Sequence, residues 1–547
     1  MVPQYFVVPT VSFVRELGPN IGMNVAEFEF PAYCNFFFYR RRVTLIVASK
    51  EVEERIRMVF QETLFGPDVI DVAQDFPAGT DAKDMPDLKR ELDYFRVFDG
   101  RLMQLEDLLD FIVFNEEGVA VIEGKVPEAK PEEEAAKSKP GEGGETNGGE
   151  TNGEAAAPAA PRVTLQWRTK GTKGAEKGDL LFEEGEGEYV IIQNDMNAGT
   201  VSDQVVLPFM DIPPTVALKV FSPPLFGVTI LGNSHGFDPV GKTSGYVLWL
   251  SRRGYMIDPP PQSTALLLAQ NIPPSLITGV IITHCHADHD AGTFQKILQE
   301  GRITLMTTKT IHDSFLRKYA ALSGLDPLLL SKSFHFRPVK IGESVKMRGG
   351  AFKFFYSLHA IPCVGFEVFL GDKSMVFSAD HMNDPPKIKQ LHADGVLTDW
   401  RRDQLLNFPW NHDIILHEAG IPPIHTPMTT LSALPDDVKA RLYVVHVGAN
   451  SFKPEYGLKP APVGVENTLT LPCTEPENAA ALEVLDLITN IDLFSTLTIH
   501  HALEILQIAN LVKFNAGEYV IRRGDVGHSM MIIASGKADV VVKVQNR

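Results

Sequence analysis

A repeated local pattern between residues 246 and 446 constrains the fold of this chain more than any other feature. Six short apolar runs, each typical of a β-strand, end at a histidine or an acidic residue, and a loop follows each run. The runs end at Asp258, His284, His359, Asp380, the pair His417 and Glu418, and His446. Because strands are rigid and strand-end loops bring side chains together, we predict that these residues meet at one edge of a sheet system.

The densest instance is THCHADHDAG, between the strand-like GVIIT and the helical run TFQKILQE. Alternate residues of an extended segment point the same way, so His284 and His286 can reach one metal ion. A turn at Ala287 then directs Asp288 and His289 towards a second ion. The spacing therefore predicts two adjacent metal sites. Nitrogen and carboxylate ligands without a set of cysteines favour zinc, with manganese or iron as alternatives.

The order HxHxDH, a lone histidine, a lone aspartate and a last histidine, each after a strand, resembles the metallo-β-lactamase superfamily. The resemblance covers about residues 225 to 450. It implies an α/β (α+β) fold, the αββα sandwich. It implies that the first metal is held by His284, His286 and His359. It implies a second metal held by Asp288, His289 and His446, with Asp380 bridging both. Asp258 would orient the HxHxDH loop.

The segment HEAGIPPIHTP, residues 417 to 427, resembles the HEAT and HST elements of the ribonuclease Z-like branch. That resemblance implies that His425 protonates the leaving oxygen, and the candidate catalytic residues are Asp288, Glu418 and His425. The chain departs from the branch at Gly420, where threonine is usual, and at Pro427. The basic, glycine-rich arm that grips tRNA in that branch is also not evident, so tRNA is disfavoured.

Two metal ions that share a water lower its pKa and present hydroxide at neutral pH, which favours hydrolysis of a phosphodiester. We therefore predict a binuclear metallohydrolase whose metal-bridging hydroxide attacks a small-molecule or nucleotide-type phosphodiester. Two alternatives stay open. The same core could hydrolyse a thioester or lactone, since fold alone does not select the substrate, or the chain could be a non-catalytic regulatory protein that senses a cyclic nucleotide.

The C-terminal segment resembles the first half of a cyclic nucleotide-binding domain, with an AGExxxxxGDxGxxMxxIxxG pattern. Glycine at the corners of a β-roll permits positive backbone angles, and the candidate ligand-binding positions are Gly517, Gly524 and Gly536. The resemblance implies a partial β-roll. The helix and arginine that hold the phosphate in that family lie beyond Arg547, so we expect cyclic nucleotide binding and regulation only with a complete domain.

Shifts in composition divide the chain into five parts. Residues 125–161 lack aromatic side chains and repeat GGETN, so they cannot bury enough surface to offset the entropy of ordering them. The predicted parts are an N-terminal α/β module of unreadable function (1–124), a disordered insertion (125–161), a strand-rich segment (162–222), the hydrolase domain (223–472) and the partial β-roll (473–547).

Charge and cysteine usage set the expected surroundings of the protein. A formal net charge of −18 without a basic cluster disfavours long nucleic acid. No apolar run approaches the ~18 residues of a membrane span, and the N-terminus lacks a secretion signal. The four cysteines have no metal or redox spacing, which predicts free thiols and a cytoplasmic location. The sequence leaves open whether the chain forms homodimers.

Overall fold

The computed structural model describes most of the chain. The described residues are 4–8, 26–116, 118–123, 162–169, 180–184, 188–193, 196–202, 221–238, 240–261, 263–300, 303–475, 494, 499–533 and 538–541. The predicted disordered insertion, residues 125–161, lies outside these ranges. Among the described residues no helix is long and apolar enough to cross a membrane.

The strands fall into an N-terminal set and a set that forms the predicted hydrolase domain. The first set is β1 Tyr5–Val8, β2 Val43–Val47, β3 Val97–Phe98, β4 Arg101–Leu102, β5 Leu109–Val113, β6 Val119–Glu123, β7 Arg162–Thr169, β8 Leu180–Glu184, β9 Glu188–Gln193 and β10 Met196–Ser202. The second set is β11 Phe226–Gly232, β12 Gly245–Leu250, β13 Arg253–Ile257, β14 Ile277–Ile281, β15 Thr304–Thr307, β16 His335–Pro338, β17 Ser344–Met347, β18 Gly350–Tyr356, β19 Val364–Leu370, β20 Lys373–Phe377, β21 Ile414–Glu418, β22 Leu442–Val445 and β23 Leu469–Thr470.

Helices lie between these strands. The α-helices are Ala26–Tyr33, Lys50–Phe60, Leu88–Phe95, Leu105–Leu108, Ser263–Ala269, Ala287–Glu300, Lys309–Ser323, Pro327–Ser331, Pro385–Ala393, Asp399–Leu406, Met428–Ser432, Asp436–Arg441 and Ile499–Ile508. Two π-helical turns, Cys34–Phe38 and Gln61–Phe65, continue the first two helices. Short 3-10 turns are Val72–Asp75, Ala82–Asp84, Pro274–Leu276, Ala449–Ser451, Pro454–Tyr456 and Val465–Asn467.

Two mixed sheets form the centre of the fold. One has the order β16-β15-β14-β13-β12-β11-β23 and the other β17-β18-β19-β20-β21-β22. Residues on both sheets, such as Trp249 and Phe366, belong to one buried apolar cluster, and several strands are buried along their whole length. Such runs are expected where a sheet is covered on both faces. The predicted αββα sandwich is confirmed, and all six predicted strand runs are strands.

The N-terminal segment shares the core of the sandwich. Most of its buried apolar residues belong to the same cluster as the two central sheets. Helix Lys50–Phe60 packs against helix Lys309–Ser323. At their contact the buried carboxylate of Glu62 accepts hydrogen bonds from Ser314 and Arg317. The predicted boundaries of the N-terminal module therefore do not coincide with a separate core.

A five-stranded sheet, β10-β9-β8-β7-β6, spans the predicted insertion. Strand β6 comes before the insertion and β7 after it, and the two pair antiparallel from Val119 opposite Gln166 to Glu123 opposite Arg162. Strands from both sides of the insertion thus belong to one sheet.

The C-terminal segment differs from the predicted partial β-roll. Helix Ile499–Ile508 is followed by turns, and the described residues between 509 and 541 contain no strand and are almost all exposed. A strand needs a paired neighbour for its backbone groups, and half a roll offers too few. Gly517 and Gly524 do have positive φ angles of 85° and 98°, whereas Gly536 lies outside the described residues.

Candidate metal centre

The strand ends meet as the sequence pattern predicted. His284, His359, Asp380 and His446 follow β14, β18, β20 and β22 within three residues, and all four side chains are buried. Helix Ala287–Glu300 begins inside the HxHxDH motif, so Asp288 and His289 lie in its first turn. Four overlapping groups of side chains could each hold a metal ion, and they are formed from Asp258, His284, His286, Asp288, His289, His359, Asp380, His425 and His446.

Three imidazole nitrogens converge at the first of these positions. Nδ1 of His286 lies 3.0 Å from Nε2 of His284 and 3.0 Å from Nε2 of His359. The carboxylate oxygen Oδ2 of Asp380 completes the group at 3.7 Å from His284 Nε2 and 3.6 Å from His359 Nε2. Three nitrogens and one oxygen in this arrangement form a set that suits a divalent cation.

The second group lies on the other side of Asp380. Its Oδ2 is 3.4 Å from Nε2 of His289 and 3.4 Å from Nε2 of His446. Asp288 Oδ2 lies 3.7 Å from His289 Nε2 and 3.9 Å from His446 Nε2. Asp380 therefore lies between the two groups, within reach of both.

Hydrogen bonds on the outer side of the cluster assign the tautomers of its histidines. The single hydroxyl proton of Thr283 is donated to Asp258 at 2.7 Å, so the Thr283 oxygen accepts from Nδ1 of His284 at 2.9 Å. Nδ1 of His289 donates to Asp258 at 2.9 Å, and Nδ1 of His359 donates to the carbonyl of Ile424 at 3.3 Å. Each Nε2 therefore carries a lone pair that points inwards.

This assignment leaves the cluster with more lone pairs than protons. The lone pairs of His284 and His359 both face Nδ1 of His286, whose one proton can serve only one of them. Nε2 of His289 is buried and has no hydrogen-bond partner among the described residues. A buried excess of acceptors is costly unless a cation fills it, so these residues fit divalent metal ions.

The electrostatics of four of the histidines agree with that fit. His289 differs, because burial alone would lower its pKa, but Asp380 and Asp288 outweigh burial and raise that pKa well above the usual value. Burial lowers the pKa of His359 to about 3 and that of His446 to about 4, and it lowers the pKa of His284 and His286 well below the usual value. These imidazoles are neutral at physiological pH, which is the form that binds metal. Burial alone would raise the pKa of Asp380, but the surrounding histidines, His289 first, outweigh it and lower that pKa well below its usual value.

Asp258 and Thr283 brace the cluster from behind. Asp258 accepts from the backbone N–H of Thr283 at 2.9 Å as well as from its hydroxyl. Asp258 and His446 have positive φ angles of 47° and 56°, a conformation that non-glycine residues rarely adopt. Such backbone strain concentrates at functional sites, where the surrounding structure enforces it.

His425 and Glu418 form a second layer beside the cluster. Nδ1 of His425 lies 2.9 Å from Glu418 Oε2, and Glu418 also accepts from the backbone N–H groups of Gly420 and Thr426 at 2.7 and 2.8 Å. Burial alone would lower the pKa of His425, but the carboxylates of Glu418 and Asp380 outweigh it and raise that pKa. A Cβ atom on Gly420 would lie 2.7 Å from the His425 ring, so in this chain the ring packs directly against the glycine.

His417, one of the predicted strand-end residues, and His381, next to Asp380, lie apart from the cluster. Nδ1 of His381 accepts from the backbone N–H of Leu358 at 3.0 Å. His417 stacks on Trp410, with ring centroids 5.3 Å apart. Neither is among the groups that could hold a metal.

Sequence reasoning missed several residues around the centre. Gly236, in the loop after β11, donates its N–H to Asp288 Oδ2 at 2.9 Å. Glu29, from the first helix, lies 3.4 Å from the N–H of Ala287, and burial together with Asp288 raises the pKa of Glu29 to about 8. The position of Thr283, directly before His284, could have indicated that it supports a ligand. No motif or spacing around Glu29 indicated that it lies near the metal centre.

An ion pair connects the N-terminal segment to the His359 loop. The fully buried guanidinium of Arg401 binds both carboxylate oxygens of Glu91 at 2.9 Å. The same guanidinium donates to the carbonyls of Tyr356 and Ser357 at 2.9 and 3.1 Å. Glu91 therefore fixes the position of Arg401, and Arg401 holds the backbone that leads to His359.

Parts of the chain are similar to known proteins. The family described as anti-Pycsar protein Apyc1 matches residues 226–457. Among solved structures, similarity extends to the metallo-β-lactamase fold protein YhfI from Bacillus subtilis (15% identity, 44% of this chain, 98% of that chain, TM-score 0.33). It extends also to the short form of human tRNase Z (18% identity, 45% and 99% coverage, TM-score 0.31).

Two curated relatives come from Dictyostelium discoideum. The cGMP-dependent 3′,5′-cGMP phosphodiesterase A is 34% identical over 651 residues, with 98% of this chain and 69% of the relative covered. The cAMP/cGMP-dependent 3′,5′-cAMP/cGMP phosphodiesterase B is 29% identical, with 97% of this chain and 48% of the relative covered. The chain thus spans about two thirds of the first relative and about half of the second.

The sandwich and its strand-end histidine and aspartate clusters define a hydrolase of the metallo-β-lactamase class. Within that class, the chain belongs to the phosphodiesterase family represented by the cGMP-dependent 3′,5′-cGMP phosphodiesterase A of Dictyostelium discoideum.

Proposed function

We propose that this chain hydrolyses 3′,5′-cyclic nucleotides with the help of two divalent metal ions. One observation carries the proposal: the buried Oδ2 of Asp380 lies within 3.4 to 3.8 Å of imidazole nitrogens from five histidines. Family membership supplies the substrate class, because both curated relatives are phosphodiesterases of cyclic nucleotides.

Seven side chains would hold the two ions. His284, His286 and His359 face the first position, Asp288, His289 and His446 face the second, and Asp380 lies between them. Zinc suits this donor set best, with manganese or iron as alternatives. Divalent ions so placed supply Lewis acidity and lower the pKa of water from 15.7 towards ~7.

Residues of the chain itself supply the proton and orient the metal ligands. Hydrolysis of a cyclic phosphodiester forms one P–O bond from water, breaks another, and needs a proton on the departing ribose oxygen. His425 is buried, has a raised pKa and is held by Glu418, so it can donate that proton. Asp258 fixes the orientation of His289, and Thr283 fixes that of His284.

Two further proposals rest on sequence patterns. The Gly517 to Gly536 segment supports regulation by cyclic nucleotides in a protein that carries the complete binding domain. The four cysteines are free thiols, which supports a reducing cytoplasmic location.

The function is tested by metal content and substrate panel together. Purified protein should contain about two divalent ions per chain and hydrolyse cGMP or cAMP. A chelator should abolish turnover, and added metal should restore it. His286→Ala should lose both bound metal and activity, whereas His392→Ala, a substitution outside the cluster, should retain both. Protein without stoichiometric metal, or protein that cleaves only thioesters or lactones, would contradict the proposal.

A further inference from the structure

A row of aromatic rings beside the second metal group reaches solvent at Phe237, and we call this position the entrance. In the loop after β11, the Phe237 ring lies 6.4 Å from the ring of His235, which in turn lies 6.3 Å from the ring of His446. On its other side Phe237 meets Tyr33 edge-on, with ring centroids 6.3 Å apart. A row of rings therefore leads outwards from a metal-facing histidine.

The outer rings of this row reach solvent. Phe237 is 36% exposed and Phe37 is 40% exposed. Phe37 lies in the π-helical turn Cys34–Phe38, with its ring 5.9 Å from that of Tyr33. Large aromatic side chains bury 150–250 Å² when covered, so leaving them partly exposed beside a reaction centre is costly unless a ligand covers them.

The loop that carries Phe237 is fixed rather than free to swing. The N–H of Gly236, the preceding residue, binds Asp288 at 2.9 Å, and a Cβ on Gly236 would lie 2.5 Å from Asp288. Asp238, the following residue, accepts from the hydroxyl of Ser234 and from the N–H of Val240. The Phe237 ring is thus anchored on both sides, and one anchor is a metal-facing carboxylate.

We infer that the nucleobase of the substrate packs against Phe237, with Phe37 and Tyr33 of the N-terminal segment behind it. The inference rests on the proposed function. It adds the surface that distinguishes a nucleotide from other phosphodiesters. In a cyclic nucleotide one ribose separates phosphate from base, so a phosphate at the metal centre leaves the base beside the entrance. Stacking suits either purine, because every base has a π-face.

The test compares two cyclic phosphodiesters that differ only in the base. Phe237→Ala should raise the KM for cGMP by ~10-fold, since stacking on an aromatic ring is worth ~1–3 kcal/mol per base. The KM for 1-deoxyribose 3,5-cyclic phosphate, which lacks a base, should stay unchanged. The kcat for both substrates should change little. Phe237→Tyr should keep the wild-type KM for cGMP.

The matched control is Phe38→Ala, at a phenylalanine that is 80% exposed and next to Phe37. It should leave the KM for both substrates unchanged. Phe37→Ala should raise the KM for cGMP less than Phe237→Ala does. Metal content and melting temperature report whether each variant is folded. If Phe237→Ala misfolds, Phe237→Leu keeps the apolar volume without the π-face.

The outcomes separate this inference from the proposed function. Equal losses on both substrates, or no change with either, would overturn the inference while leaving the phosphodiesterase intact. If the wild-type protein with bound metal cleaves neither substrate, the proposed function fails. In that case calorimetric titration with cGMP tests the inference without turnover. Weaker binding of cGMP to Phe237→Ala than to the wild-type protein supports the inference. Equal binding to both proteins, or no binding to either, overturns it.

Discussion

The hydroxyl of Thr283 shows how much of the metal centre depends on one small side chain. It accepts from His284 Nδ1 and donates to Asp258, which in turn holds His289. One oxygen thus connects a ligand of each metal position. Residues behind metal ligands orient them and tune their basicity.

Replacing Thr283 by valine keeps the volume of the side chain and removes both hydrogen bonds. We expect metal affinity to fall by about 10- to 100-fold, because His284 loses the bond that fixes its tautomer. Competition with a chromophoric chelator measures the change. Thr278→Val is the matched control, since the Thr278 hydroxyl, near the start of the same strand, bonds the carbonyl of Gly254 instead. Unchanged affinity in Thr283→Val would contradict the tautomer assignment.

His425 is predicted to act as a proton donor rather than as a ligand. His425→Ala should slow hydrolysis of cGMP by roughly 10²- to 10⁴-fold, because the ribose oxygen is a poor leaving group that needs a proton. A p-nitrophenyl phosphodiester, whose leaving group needs no proton, should be slowed much less. The ratio of kcat values on the two substrates measures the effect, with bound metal unchanged. Equal slowing on both would remove the acid role.

At the scale of elements, the N-terminal segment braces the strand that leads to His359. Helix Leu88–Phe95 carries Glu91, helix Asp399–Leu406 carries Arg401, and both side chains are fully buried. The pair fixes the end of β18 through the carbonyls of Tyr356 and Ser357. A buried charge is tolerated only while its partner remains.

Arg401→Ala should destabilise the fold by about 3–5 kcal/mol, because it leaves Glu91 buried without its cation. Urea denaturation of the metal-free protein measures the change. Arg402→Ala is the matched control. Arg402 pairs with the exposed carboxylates of Asp399 and Asp403, so its loss should leave the urea midpoint nearly unchanged. Similar midpoints for the two variants would show that the buried pair contributes little.

At the scale of the whole molecule, most buried apolar residues between 26 and 109 share one core with the αββα sandwich, whereas the described residues between 509 and 541 stay outside it. Removing an N-terminal part would uncover one face of helix Lys309–Ser323 and leave Arg317 without Glu62. Removing the exposed C-terminal part would uncover almost nothing.

Two truncations test that difference. Ending the chain after Ile508 should leave the melting temperature within about 2 °C of the full chain, because almost no buried surface is lost. Starting the chain at residue 125 should give protein that aggregates or melts without a cooperative transition, because a large apolar face becomes exposed. Thermal scans monitored by circular dichroism distinguish the two. A cooperative transition in the second truncation would show that the sandwich folds alone.

The sequence by itself determined the sandwich and the positions where ligands occur. Alternating apolar runs mark strands, and a strand end places its last polar residue at the sheet edge, so Asp258, His284 and Asp380 could be read locally. The spacing in HxHxDH also predicted that His284 and His286 face one position and that Asp288 and His289 face a second one. These features depend on neighbours within a few positions, which a sequence displays directly.

Only the tertiary structure decided the rest. Asp380 rather than His381 faces the metals because the backbone at Leu358 holds His381 away. Glu91 reaches Arg401 across 310 positions, and Glu29 reaches the metal loop across 258. The C-terminal glycines predicted a roll, whereas the described residues between 509 and 541 form no strand. Contacts between residues so far apart in the sequence depend on how sheets and helices pack. The local periodicity of the sequence does not indicate which distant surfaces will meet.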